Sequence, residues 1–215
     1  PVYFSRKEKP SKGAYLDGRI IRYFDGKNDY EVMSVDDMHL FGNHNYENVM
    51  AAIAMTIEAG VPLNIIINVI KDFMGVEHRI EYVRDKNGVR YYNDSKGTNP
   101  DSSIKALEAM SRPTILIAGG YDKHSEFDEF IEAFDNKVKL MVLLGQTADK
   151  IEETAVRHGF TNIIKTDSLE KAVKICAENA VSGDVVLLSP ACASWGMFKN
   201  YEERGKLFKE YVNSL

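Results

Sequence analysis

Apolar and polar positions follow two different rhythms along this chain. Up to residue 41 the apolar residues come in short β-rich runs, 2–4, 14–16, 20–21 and 30–33. Asp17-Gly18 and Asp25-Gly26 punctuate these runs as hairpin turns. A helix is then predicted, with Asn48, Ala51, Ala52, Met55 and Ala59 on its face and Gly60 as its stop. A second helix over 63–73 follows Pro62 and ends near Gly75. This β-meander with two helices is expected not to close as a domain of its own. Its leftover apolar faces are expected to favour association between copies.

Beyond residue 75, where the domain boundary is placed, the rhythm changes. Runs 80–83 and 89–92 flank Lys86-Asn87-Gly88, a hairpin with an Asn-Gly turn. Nearly continuous apolar runs follow at 114–118, 140–144, 162–164 and 185–188. Helices are predicted to start near Ser103, Glu126, Ala148 and Ser168, and a last one to span 201–212. Buried strands alternating with helices predict an α/β fold: a Rossmann-like, mostly parallel sheet with helices on both faces. No repeat or low-complexity segment interrupts it.

Composition narrows the function. With 27 basic and 32 acidic residues among 215, the net charge of -5 offers no basic field for nucleic acid and no polybasic membrane patch. No apolar run approaches the ~20 residues of a membrane span, and no signal peptide is visible. The two cysteines, Cys176 and Cys192, lie far apart and suit a reducing cytoplasm rather than a disulfide scaffold. Cys192, with no histidine near it in sequence, is expected to be buried and inert. His39, His124 and His158 show no metal-ligand spacing, so no metal site is expected. The start at Pro1, without a Met and straight into a strand-like run, reads as a fragment of a longer chain.

The chemistry gathers in loops after strands, which in such a sheet open on one side. Residues 93–103 (NDSKGTNPDSS) place an acid, a base, hydroxyls and a Gly before a helix start, where N–H groups and the dipole favour an anion. As an ordinary turn, the same stretch would use Asp101 or Ser102 as a helix cap. Gly119-Gly120 lets backbone approach closely, and Lys123 brings a cation for a carboxylate or phosphate. The loop 189–201 holds small residues, then Ser194, Trp195, Phe198 and Tyr201; Phe198 is expected to pack under the last helix. Asn45 and Asn48, three apart at a helix head, suit either capping or a planar base. His78-Arg79 stands at the domain junction, as a hinge or beside a ligand.

The segments HNYEN…AA, GVEHRIE, YYNDSKGTNPDS, AGGYDK and LLSPACASWGMFKNYEERG, in that order, resemble the Mur ligases of peptidoglycan synthesis, and within them the branch that adds D-glutamate. The resemblance covers nearly the whole chain. It implies that residues 1–75 are the end of the central ATP-binding domain and 76–215 the C-terminal Rossmann-like domain, which binds the incoming amino acid. No G-x-x-x-x-G-K-[ST] occurs here. The phosphate cradle and the Mg2+ ligands are therefore expected in a part of the family's chain not represented, and this chain alone is expected to be inactive.

The implied reaction is ATP-driven amide formation: UDP-N-acetylmuramoyl-L-alanine is activated as an acyl phosphate and attacked by the amine of D-glutamate. The resemblance implies adenine contacts for Asn45 and Asn48, a hinge closing on the nucleotide for His78 and Arg79, and ribose hydroxyls for Asp94. Lys96 would face the reacting groups. Thr98, Lys123 and Ser194 would hold D-glutamate carboxylates, with Trp195 and Tyr201 beside them; Asp122 carries little weight. The full-length protein is expected to be a cytoplasmic monomer. Two alternatives stay open: another Mur or folylpolyglutamate-type amide ligase, and a non-catalytic Rossmann-like binding domain.

Overall fold

A computed structural model describes all 215 residues, which divide into two compact units, Pro1–Gly75 and Val76–Leu215. In the first unit, strands β1 (Tyr3–Ser5), β2 (Gly13–Asp17), β3 (Ile20–Phe24) and β4 (Asp29–Ser34) form a sheet in that order. β1 runs parallel to β2, and the other pairs are antiparallel. The Asp25 carboxylate ties the β3–β4 turn by accepting the N–H groups of Lys27 and Asn28. Helices α1 (Asn43–Glu58) and α2 (Leu63–Asp72) pack on the sheet.

Two expectations need correction in this unit. The α1 face that turns inward is Val49, Met50, Ile53 and Ala54, whereas Met55 is 68% exposed. The unit also has a core of its own, which joins Ala14, Ile21, Tyr23 and Met33 to that face and to Ile66 of α2.

The second unit is the α/β domain. Its strands are β5 (Glu81–Lys86), β6 (Val89–Asn93), β7 (Thr114–Ala118), β8 (Val138–Leu143), β9 (Ile163–Lys165) and β10 (Val185–Leu188). They form one sheet in the order β5-β6-β10-β7-β8-β9. Only the β5–β6 hairpin is antiparallel. Asn87 and Gly88 both take positive φ (55° and 80°) in its two-residue turn, a geometry that an Asn-Gly pair adopts at little cost. Helices α3 (Pro100–Ala109), α4 (Asp128–Glu132), α5 (Ala148–Arg157), α6 (Leu169–Asn179) and α7 (Tyr201–Ser214) complete the unit.

Alternation along the strands divides the core. Ile115, Ile117, Val142 and Val186 pack with Val173 of α6 and with Phe208 and Val212 of α7. Leu116, Met141 and Leu187, also fully buried, point to the other face. The chain passes from β6 through α3 to β7 and leaves a gap between them, which β10 fills last. The carboxyl ends of β6, β10 and β7 are therefore neighbours, and the loops that follow them meet at one rim.

Candidate functional site

Three loops build this rim, and a buried polar knot fixes them. After β6, the Asp94 N–H donates to the Leu188 carbonyl of β10. The Asp94 carboxylate faces inward and accepts from the Ser189 hydroxyl (2.7 Å) and the Ile80 N–H (3.2 Å). Ser103 of α3 joins the knot through Ser189 (2.8 Å) and takes the Ala191 N–H (3.0 Å). Burial raises the Asp94 carboxyl to about 7 against the opposing pull of these hydrogen bonds. A side chain at Gly97 would collide with the Asp94 carboxylate and both serines, so close approach requires glycine there. The α3 cap is Asn99, which accepts the Ser102 N–H and precedes Pro100, rather than Asp101 or Ser102.

The second loop lies directly under the third. Gly120 has φ 155°, and a side chain on it would overlap the Ala193 carbonyl. Tyr121 donates its N–H to that same carbonyl, and its ring meets Trp195 at 5.4 Å between centroids. Cys192 is buried against the Thr147 hydroxyl, and burial pushes its thiol up to about 11, so it is no nucleophile. Phe198 packs against the α6/α7 side of the core.

Two cations cross this rim without a carboxylate partner. The Lys123 ammonium stands 4.8 Å from the centre of the Trp195 ring, and the Lys96 ammonium 5.8 Å from that of Tyr201. Trp195 belongs to the third loop, and Tyr201 opens α7 directly after it. Ser194 is 4% exposed, and its hydroxyl makes no hydrogen bond within the chain. Thr98 is half-buried two residues after Lys96. Ammonium groups and free hydroxyls on neighbouring loops suit a ligand rich in carboxylates or phosphates.

His78 and Arg79 open the second unit. His78 is 3% exposed with φ 66°, and its carbonyl accepts the Lys96 N–H. The Asn93 amide donates to its Nδ1 at 3.0 Å, which leaves the proton on Nε2. That Nε2–H is buried and has no hydrogen-bond partner. Burial lowers the His78 pKa, so the ring is held as a neutral donor. Arg79 is exposed.

Glu77, His78 and Glu81 are close enough to invite a metal, but they do not fit one. The Lys209 ammonium already bridges the two carboxylates at 2.7 and 2.9 Å, and the imidazole offers a proton rather than a lone pair. Asn45 and Asn48 belong to α1 in the first unit. The Asn45 amide donates to the Phe41 carbonyl at the helix head, and Asn48 is exposed.

Arg204 of α7 was not foreseen. It is 2% exposed and holds the Ser95 hydroxyl, the Ser95 carbonyl and the Cys192 carbonyl at 2.8–3.1 Å, so one guanidinium clamps the first loop to the third. Arg204, Phe208 and Val212 are four apart, a spacing that places the arginine on the buried stripe of the helix.

Known proteins resemble this chain in sequence and in fold. Residues 78–192 match the family model "Mur ligase, glutamate ligase domain". The chain is 64% identical over 214 residues to the UDP-N-acetylmuramoylalanine--D-glutamate ligase of Lachnospira eligens, covering 100% of this chain and 48% of that protein. The ligase of the same name from Lachnoclostridium phytofermentans is 54% identical, with coverage of 100% and 47%. The chain thus spans about half the length of the curated relatives it matches. Among solved structures, a pseudomurein peptide ligase type C from Methanothermus fervidus aligns with TM-score 0.70 at 16% identity (97% of this chain, 42% of that one). UDP-N-acetylmuramate-alanine ligase from Thermotoga maritima aligns with TM-score 0.68 at 15% identity (98% and 47%). At these identities the structures speak for the α/β fold alone.

Proposed function

The chain belongs to the Mur ligase family, and from that premise we propose that it is part of an ATP-dependent ligase that joins D-glutamate to UDP-N-acetylmuramoyl-L-alanine in the cytoplasm. One observation carries the reading: two ammonium groups without counter-ions, Lys96 and Lys123, and a Ser194 hydroxyl without a partner in the chain all stand on the loops at the carboxyl rim of a parallel sheet. D-Glutamate brings two carboxylates and an amine. Lys123, Ser194 and Thr98 are assigned to the carboxylates, and Trp195 and Tyr201 to the walls that orient the carbon chain. Such positioning presents the amine to the acceptor carbon. Lys96 is assigned to the charge that develops where the new bond forms.

The residues here also fit a nucleotide. The orphaned His78 Nε2–H is a buried donor without an acceptor, and Arg79 adds an exposed cation beside it. ATP, when bound, supplies the phosphoryl group that makes the substrate carboxylate reactive. His78 and Arg79 are assigned to its acceptor atoms, Asn45 and Asn48 to the base. Asp94 is assigned to the ribose, from a carboxyl that also ties its loop to β10. No residue of this chain is assigned to Mg2+.

The test is an assay of phosphate release in the full-length protein with ATP, UDP-N-acetylmuramoyl-L-alanine and one amino acid at a time. Turnover with D-glutamate and none with L-lysine or meso-diaminopimelate is expected. Preference for either diamino acid, or no dependence on an amino acid, would overturn the reading.

A further inference from the structure

A cavity of about 390 Å³ lies at the other end of β6. Its floor is apolar, from Val89 of β6, Ala177 of α6, Ala180 and Leu215. The end of β5 supplies Lys86 to its wall, and α6 supplies Lys174 and Glu178. Tyr91 also lines it, and two independent facts make that residue informative. It is 2% exposed, and its hydroxyl makes no hydrogen bond to any other residue of the chain. The ring is buried while the hydroxyl stays open to the cavity, free to donate to an acceptor that enters it.

The charges around the cavity are unevenly paired. Lys174 is engaged by Glu170 at 2.7 Å, and Glu178 lies within electrostatic range of the same ammonium. Lys86 has no carboxylate partner. Lys86 and Lys174 thus face Glu170 and Glu178 in equal number, and the cavity offers one ammonium outside any ion pair at its rim, one unused hydroxyl donor in its wall and an apolar floor. Burial raises the Tyr91 pKa, so the phenol stays a donor at neutral pH.

We propose that this cavity is a binding site for a small organic carboxylate with a compact apolar body, its carboxylate at Lys86 and an acceptor oxygen at Tyr91. The volume suits a ligand of a few rings at most. The site stands at the amino ends of β6 and β10, whereas the rim loops stand at their carboxyl ends, so its occupant is separate from the amino acid and nucleotide assigned above.

Benzoate is the probe, with benzamide as its neutral counterpart. Both are titrated into the isotope-labelled protein and followed by amide chemical shifts. Saturable shifts from benzoate at Val89, Tyr91, Ala177 and Ala180 are expected, with a Kd on the order of millimolar. Benzamide is expected to bind several-fold more weakly. Lys86→Gln, at the last residue of β5, and Tyr91→Phe should each weaken benzoate about fivefold or more. Absence of saturable shifts, meaning that the hydroxyl is served by solvent only, overturns the proposal. So does benzoate binding that either variant leaves unchanged, or equal binding of benzamide.

Discussion

Lys123 separates a bound ligand from a decorated surface. Held over Trp195 without a counter-ion, its ammonium is free to meet a carboxylate with little rearrangement. Lys123→Ala in the full-length protein should raise KM for D-glutamate about tenfold or more while kcat changes far less. Initial-rate kinetics at saturating ATP check this, and an unchanged KM would remove Lys123 from the site. Asp94 makes a prediction about pH. Its carboxyl titrates at about 7 in the folded protein against an ordinary value of 3.8, so the folded state binds that proton more tightly than the unfolded chain. Its contribution to stability is full below the unfolded value and is lost as pH rises towards 7. Thermal melts should show wild type losing Tm across this window relative to Asp94→Asn. The opposite slope would mean that Ser189 and Ile80, not burial, dominate this carboxyl.

At the scale of elements, α7 joins the rim together. Arg204→Met keeps the length but strands the Ser95 and Cys192 carbonyls, and should cost about 3 kcal/mol in urea unfolding. Arg204→Lys should recover only part of that, since one ammonium cannot span three acceptors in a plane. Gly205→Ala drives a methyl group into the His78 ring and should cost about 1–3 kcal/mol. A Gly205→Ala variant as stable as wild type would show that the ring can move away.

The sequence makes the strands of the second unit and the Asn87-Gly88 turn plain, because buried parallel strands are nearly continuous apolar runs. The α1 face is ambiguous in the sequence because alanines surround that helix, and Ala51, Ala52 and Met55 keep the same period as the buried face, Val49, Met50, Ile53 and Ala54. Lys96, Thr98, Lys123 and Ser194 are readable as loop chemistry. The Arg204 clamp is not, because its acceptor at Ser95 is 109 residues away and only the fold brings the two together.

The whole molecule is two units with separate cores, and its two sheets tell different stories. In the second, β10 enters last between β6 and β7, so the rim forms only when the C-terminal part of the chain has been placed. Nothing local in the sequence states that order. The core of this unit draws on its own residues, so Val76–Leu215 produced alone should melt cooperatively and keep its near-ultraviolet dichroism. A broad melt with that signal lost would show that it depends on Pro1–Gly75. Trp195 is the one tryptophan among 215 residues, and it lies under the ammonium assigned to the glutamate carboxylate. The chain therefore carries its own fluorophore at the proposed point of recognition. An anion that draws Lys123 off the indole should alter the emission, and binding could be followed optically in unlabelled protein, without turnover and one ligand at a time.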